Sequence, residues 1–401
     1  METGVKSPGG SISETVAFSC LVLSSFTMCF SLPAGRVFLA LGLIFTVAYL
    51  VSTRRLPFLP VTAWLWLLFF VVAIFATVFG VNPELGVPKL RKLIWFMGIP
   101  VAAILVTSKE RVGFLVRAFA VGSGVRAVRT CVESPLEALQ SLRAGEFESF
   151  GQALIDTGSM TDGQRLMLGV TVTLGLWFAA RRSGRRSVWW FLLLALQALA
   201  LVITFKRGSW ICTCVLVATL VAVKTNWKYL LLVGAIILST LLVPTVRSRL
   251  GDLSREFKET STGRWPMWTK VAPVLVKEHP WLGVGYRSMT NKMIKQIEWN
   301  IELRRDHLHS NPVQVVAATG CIGLFVYLLW MGFGLRDATY FLRTAGAGRD
   351  EEEKNHALLL LLMLLGLLLN GLIEYNFGDA ELVLIYGLVM GSCAASRVRC
   401  E

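Results

Sequence analysis

The sequence predicts an all-α, polytopic transmembrane protein with about twelve spans and a large, partly helical loop between the ninth and tenth. Three observations carry that expectation. Of 401 residues, 54% are hydrophobic, only 16% are charged, and mean hydropathy is +0.60. A soluble domain carries roughly 25% charged residues. Apolar runs recur along the whole chain, each near the ~18 residues needed to cross about 30 Å of hydrocarbon. Basic residues recur in every second connection, as in loops that face the cytoplasm. One membrane domain over 1–401 is expected, with 246–310 as a loop insertion.

The expected spans are 15–32, 35–51, 61–81, 90–106, 111–128, 164–180, 188–204, 209–224, 228–245, 311–334, 356–373 and 381–396. Residues 1–14 are polar. The run Thr15 to Leu32 has no small-x-small cleavage pattern, so it reads as a first span rather than a signal peptide. The fifth span is interrupted by Arg117 and Arg126. With the N-terminus inside, the inner loops hold Arg54 and Arg55, then Lys109 and Arg111, then Arg181, Arg182, Arg185 and Arg186. Lys224 and Lys228 follow, then Arg336, Arg343, Arg349 and Lys354, and last Arg397 and Arg399. The formal charge of +14 is therefore a topology signal and not a nucleic-acid signal. The 8 Cys are scattered without a CxxC pair or a Cys/His cluster, which argues against a zinc site.

Some positive charges are not required by topology. Lys89, Arg91 and Lys92 fall at the outer end of span four, and Lys206 and Arg207 at the outer turn between spans seven and eight. They can meet an anionic ligand or snorkel to lipid phosphates. Two outer segments are long. Residues 129–163 mix charge and apolar groups, as an amphipathic helix over the membrane would; Cys131 falls within this segment. Residues 246–310 hold three of the four His, with Trp265, Trp268 and Trp281 among their aromatics. Within them, Thr262 to Lys277 has near-helical apolar spacing, with Ser261 or Thr262 available as a cap. His279-Pro280-Trp281-Leu282-Gly283-Val284-Gly285 reads as a turn-rich connection.

Candidate chemistry gathers at the outer boundary. His309 stands just before the helix that Pro312 opens, where an imidazole can take a proton from a hydroxyl near neutral pH. A structural hydrogen bond or a helix cap is the alternative use. Arg264 and Arg207 are permanent forks suited to phosphate oxygens, or to pairing with a carboxylate. Gly208 and Ser209 follow at a helix start, which attracts anions. Glu374 and Asp379 read as solvated loop carboxylates, with orientation of an Arg or an acceptor as the alternative. Guanidinium groups, one candidate base and sugar-stacking aromatics on one face suggest chemistry on a phosphorylated, lipid-linked substrate. No GxxxxGK[ST] nucleotide motif is present.

The chain resembles the O-antigen ligase family, which includes O-antigen polymerases. The resemblance rests on ordered segments: Thr204-Phe205-Lys206-Arg207-Gly208-Ser209-Trp210, then Thr262-Gly263-Arg264-Trp265-Pro266-Met267-Trp268, then His279 to Gly285. His307-Leu308-His309-Ser310-Asn311-Pro312-Val313-Gln314 follows and runs into Thr319-Gly320-Cys321-Ile322-Gly323-Leu324. Val81-Asn82-Pro83 with downstream Lys89 also fits. The family usually has Asn directly after the functional His, whereas here Ser310 intervenes. The resemblance implies a metal-independent, cofactor-free membrane glycosyltransferase of the bacterial inner membrane, facing the periplasm. It would move a glycan from undecaprenyl diphosphate to a sugar hydroxyl of lipid A–core, inverting the anomeric centre. On that reading His309 activates the hydroxyl while Arg207 and Arg264 hold the diphosphate. Lys89, Arg91, Lys92, Lys206, Trp265 and His307 are further substrate contacts. A polymerase that extends lipid-linked glycan shares the same motifs. A transporter of lipid-linked sugar would instead show mid-span charges and repeat symmetry.

Overall fold

The computed structural model describes residues 12–54, 57, 59–143, 159–184, 187–226, 228–231, 234, 264–298, 307–347 and 350–398. The regular elements among them are helices: α1 Ile12–Thr27, α2 Leu32–Thr53, α3 Val61–Val78, α4 Gly98–Leu105, α5 Lys109–Arg143, α6 Met160–Arg182, α7 Val188–Ile203 and α8 Arg207–Lys224. Then come α9 Ala272–Glu278, α10 Asn291–Ile297, α11 Asn311–Ala347, α12 Glu351–Ile373 and α13 Ala380–Val398. Six of these, α2, α3, α8, α11, α12 and α13, are long and apolar enough to cross a membrane; α1 and α7 are apolar but shorter. The expected count of about twelve is thus met only in part. Ahead of α4 the chain alternates α and 3₁₀ turns, Pro83–Gly86, Val87–Lys89, Arg91–Ile94 and Trp95–Met97, with helical backbone at each junction, so span four is helical without being one regular helix. Span nine lies almost wholly outside the described residues.

The two charge-interrupted helices are long but not uniformly apolar, and packing explains why. Every residue of α6 from Thr161 to Leu176 is buried, so protein rather than lipid surrounds it. Polar groups are tolerated there because they find partners. Asp162 closes a capping box with Ser159 and also pairs with Arg126 of α5 at 2.8 Å and with Arg165. Arg117, the other interruption in span five, pairs with Glu352. Helix α5 runs on to Arg143 and carries Cys131 in a helix rather than a loop. At 1.5 Å per residue its 35 residues reach about 52 Å, well beyond one hydrocarbon thickness.

The charged ends sort as the sequence suggests. The start of α12 is capped by Asp350, whose carboxylate accepts from the Glu352 and Glu353 amides at 3.0 and 3.1 Å. At that end Lys109 meets Asp350, and Arg182 meets the Lys224 carbonyl and Glu351. The opposite end, where α12 stops and α6, α8 and α13 start, holds the polar residues discussed below.

Between these ends lies an aromatic plug. Phe377, fully buried in the turn after α12, sits among Phe69, Phe96, Tyr327, Trp330 and Tyr386, with ring centroids 4.8–6.0 Å apart. Such pairs add about 0.5–1.5 kcal/mol beyond area burial. The plug fixes the 374–379 turn to α3, α11 and α13. Helix α13 reaches it tightly: Gly387 and Gly391, one turn apart, let its backbone touch α4 at Gly98 and Ile99.

The expected helix over 262–277 is observed from Arg264, as Arg264–Pro266, a π-helical turn Met267–Val271, and α9. Its proposed caps, Ser261 and Thr262, lie outside the described residues. The 279–285 connection is a turn, and it docks edge-on against a break in α11. Gly320 has φ 66° and ψ −170°, interrupting the helix. The amides this frees are taken up by the turn: Cys321 donates to the Pro280 carbonyl at 2.8 Å. In return Val284 and Gly285 donate to Ala317 and Ala318 at 2.9 and 3.0 Å. Val81 donates to Val284 at 3.0 Å, which ties the end of α3 into the same knot. Two motifs distant in sequence are therefore one backbone joint.

Candidate functional site

Site residues converge around the 374–379 turn. Arg264 forms an ion pair with Glu374, and the other oxygen of that carboxylate lies 3.4 Å from His309 Nδ1. Glu374 is 6% exposed and its partners are largely shielded. The sequence expectation of a solvated loop carboxylate is thereby corrected. The Phe377 plug draws the turn inward, and the neighbouring positive charge compensates the burial. In the Nδ1–H tautomer His309 donates to Glu374 and leaves Nε2 as a proton acceptor.

His309 is held in an uncommon conformation. Its φ is 53°, the left-handed region that costs a non-glycine residue about 1–3 kcal/mol in a sparsely populated setting. Three contacts impose it. The Trp268 indole donates to the Leu308 carbonyl at 2.7 Å, and the Leu308 amide donates to Gln314 Oε1 at 2.8 Å. The His309 amide donates to His307 Nδ1 at 3.3 Å, and the two imidazoles meet edge to face at 4.4 Å. His307 is itself buried, 5.4 Å from the ring of Tyr375.

The start of α11 is locked to the turn by a buried amide network. Asn311 Nδ2 donates to Asn376 Oδ1 at 2.7 Å, and Asn311 Oδ1 accepts from the amides of Asn376 and Phe377 at 3.0 and 3.1 Å. Asn376 Nδ2 donates to Gln164 of α6 and to the Leu367 carbonyl, and Tyr386 of α13 donates to Asn376 Oδ1. Replacing Asn311 with Ala strips the acceptor from two buried amides, at about 1–3 kcal/mol for each orphaned group. We expect Asn311→Ala to lower the thermal midpoint of the purified protein by several degrees. An unchanged midpoint would remove the network from the account.

The cations arrive from several elements. Lys89 Nζ donates to the Arg287 carbonyl and Lys92 Nζ to the Gly378 carbonyl, each at 3.1 Å. Lys206 stands at the N-cap position of α8 beside Gly163, and Gly208 faces Ile373 and Asn370, so Arg207 starts α8 beside the last turn of α12. Arg91 and Trp265 are exposed instead, so the structure does not bring them into the buried cluster. Asp379, also expected to be solvated, is half-buried and accepts from Thr161 at 3.0 Å; desolvation pushes its carboxyl above the usual range, offset in part by that hydrogen bond.

Sequence reasoning missed Arg287. It is 8% exposed, its guanidinium lies 5.7 Å over the Tyr375 ring, and its Nε has no hydrogen-bond partner. Among the described residues no carboxylate lies at ion-pair distance from it, and its charge acts on the carboxyl of Asp379. Only its place after the 279–285 turn could have flagged it. Asn311 and Asn376 were legible as polar residues at span ends, but their mutual contact was not.

Fold and site together define a multi-pass helical membrane protein with a cation-rich site at one end of its bundle. Residues 190–328 match the family model described as O-antigen ligase, which supports the family read from the motifs. The matched segment is about a third of the chain and holds Arg207, Arg264, Arg287 and His309, whereas Glu374 lies outside it. No curated protein matches the chain.

Proposed function

We propose that the chain is a membrane-embedded glycosyltransferase of the O-antigen ligase type. It moves a glycan from undecaprenyl diphosphate to a sugar hydroxyl of lipid A–core, at the periplasmic face of the bacterial inner membrane. The single observation that carries this reading is Glu374 bridging Arg264 and His309, which sets an anion-binding fork beside a candidate base.

In the proposed reaction the acceptor hydroxyl loses its proton to His309 Nε2 as its oxygen bonds the anomeric carbon. The bond from that carbon to the diphosphate breaks, and the electron pair leaves with undecaprenyl diphosphate. Glu374 holds the imidazole ring and supports the positive charge it acquires. Arg264, Arg207 and Arg287 offset the charge growing on the leaving group. Lys89 and Lys92 hold the backbone that carries Arg287 and Gly378, and lie close enough to add to the local positive field. Attack opposite the leaving group inverts the anomeric centre.

A polymerase that extends lipid-linked glycan is the second reading, favoured by the same family match. Reconstitution with lipid-linked glycan and either lipid A–core or a second lipid-linked unit separates the two. Extension of lipid A–core is the expected result; extension of the lipid-linked unit alone would replace the ligase with the polymerase. Because Arg and His residues supply the charge and the base, transfer is expected to persist in EDTA. Loss in EDTA with recovery on one added metal would contradict the mechanism.

A further inference from the structure

At the end of the bundle opposite His309 lies a cavity of about 540 Å³, within the range of small-molecule pockets. It opens where α6 and α8 stop and α7 and α12 start. None of its groups serves the transfer site: α12, 23 residues and about 34 Å long, separates the two.

Its lining is amphiphilic. Arg117, Arg182 and Lys224 supply three cations against Glu351 and Glu352. Arg117 pairs with Glu352, and Arg182 lies 3.8 Å from Glu351. That leaves Lys224, 9% exposed, with no carboxylate at ion-pair distance among the described residues. An ammonium buried in this way is costly unless an anion joins it. Two more buried polar atoms on the same wall lack partners: Asn355 Oδ1 and His356 Nδ1, on residues each 2% exposed. Both can accept from a hydroxyl. Phe178 and Trp190 complete the wall, and next to Trp190 the chain shows bare Trp189, Phe191 and Leu192 outward. The site therefore pairs one net positive charge and two hydroxyl acceptors with an apolar rim at the lipid boundary.

We propose that this cavity holds the headgroup of an anionic glycerophospholipid. Lys224 and Arg182 take its phosphate, and Asn355 and His356 accept from its headgroup hydroxyls. Basic pockets between membrane helices bind such headgroups through the same combination of charge and lipid access. Phosphatidylglycerol fits both halves of the site. Phosphatidylcholine brings a second cation and no hydroxyl. The proposal stands whether the opposite end transfers glycan or not.

The test uses the full chain, purified in neutral detergent and offered phosphatidylglycerol, phosphatidylcholine or inorganic phosphate. Retained lipid is read by native mass spectrometry and the thermal midpoint by a melting assay. The expected result is selective retention of phosphatidylglycerol with a midpoint rise of several degrees. Lys224→Met should reduce retention about tenfold or more and abolish the rise. Its midpoint in phosphatidylcholine should not fall below that of the parent, because the substitution removes an uncompensated buried charge. Arg182→Gln, at a position with a 56% exposed side chain, tests the phosphate contact should the first variant fail to fold. Equal retention of the two lipids, or full retention by both variants, overturns the proposal. An equal midpoint rise with inorganic phosphate alone assigns the site to free phosphate and overturns the lipid.

Discussion

Purified His309→Ala protein is expected to transfer glycan roughly 10²–10⁴ times more slowly than the parent, the usual contribution of a positioned general base. The helices should remain intact, because the side chain is partly exposed and its removal leaves no buried charge without a partner: Glu374 keeps Arg264. Comparison with Arg264→Ala sharpens the result. That substitution strands Glu374 in a buried setting, where an uncompensated charge costs about 3–5 kcal/mol. It should therefore reduce both activity and stability, whereas His309→Ala should reduce activity alone. Near-parental transfer by His309→Ala, in a sample whose melting curve matches the parent, would end the role assigned to the imidazole.

Gly320→Ala is expected to be among the most damaging single methyl additions at the described glycines. A Cβ at this position runs into the carbonyl of Trp281 and the amide of Leu282, both backbone atoms that cannot turn aside. The φ of 66° with ψ near −170° is a region that only glycine occupies comfortably, at about 1–3 kcal/mol for other residues. Opening the joint also frees the carbonyls of Pro280, Ala317 and Ala318 from their donors. Together these place the loss on the order of 4–5 kcal/mol, large against total stabilities of about 5–15 kcal/mol. Yield of monodisperse protein and the thermal midpoint measure it. A variant that purifies and melts like the parent would mean that the joint is not needed.

Much of this was readable in the residues, and the reasons differ by element. Apolar length alone marked α2, α3, α8, α11, α12 and α13, since a lipid-facing helix must be apolar over its whole span. The same logic placed α6 within about four residues, although its charges kept its hydropathy modest. Burial on all sides, which hydropathy does not register, explains both facts. Span four is not among the long apolar helices because 91–105 alternates α and 3₁₀ turns, all in the right-handed helical region, which apolar composition cannot reveal. At the site, Lys89 and Lys92 were marked by being charged where nothing topological required it, and His309 and Arg264 by their chemistry at the outer boundary. Glu374 was misjudged because a short loop between two helices looks wet in sequence. Phe377, three residues on, is what pulls it under cover. Arg287 gave no signal of its own, since one Arg after a turn is ordinary until its surroundings are known.

The joint between 279–285 and the break in α11 also bears on how the chain is made. The turn leaves the ribosome well before residues 317–322 that satisfy its amides, so it must wait, with polar backbone exposed, until α11 is inserted. Insertion of that helix then secures the turn, and with it the end of α3 that Val81 fastens to Val284, whereas His309 meets Glu374 only after α12 and the 374–379 turn have followed. Nascent chains halted before α12 is complete would lack Glu374, and with it the contacts to Arg264 and His309. The order of synthesis alone thus leaves Arg264 and His309 without their shared carboxylate until nearly the last helix.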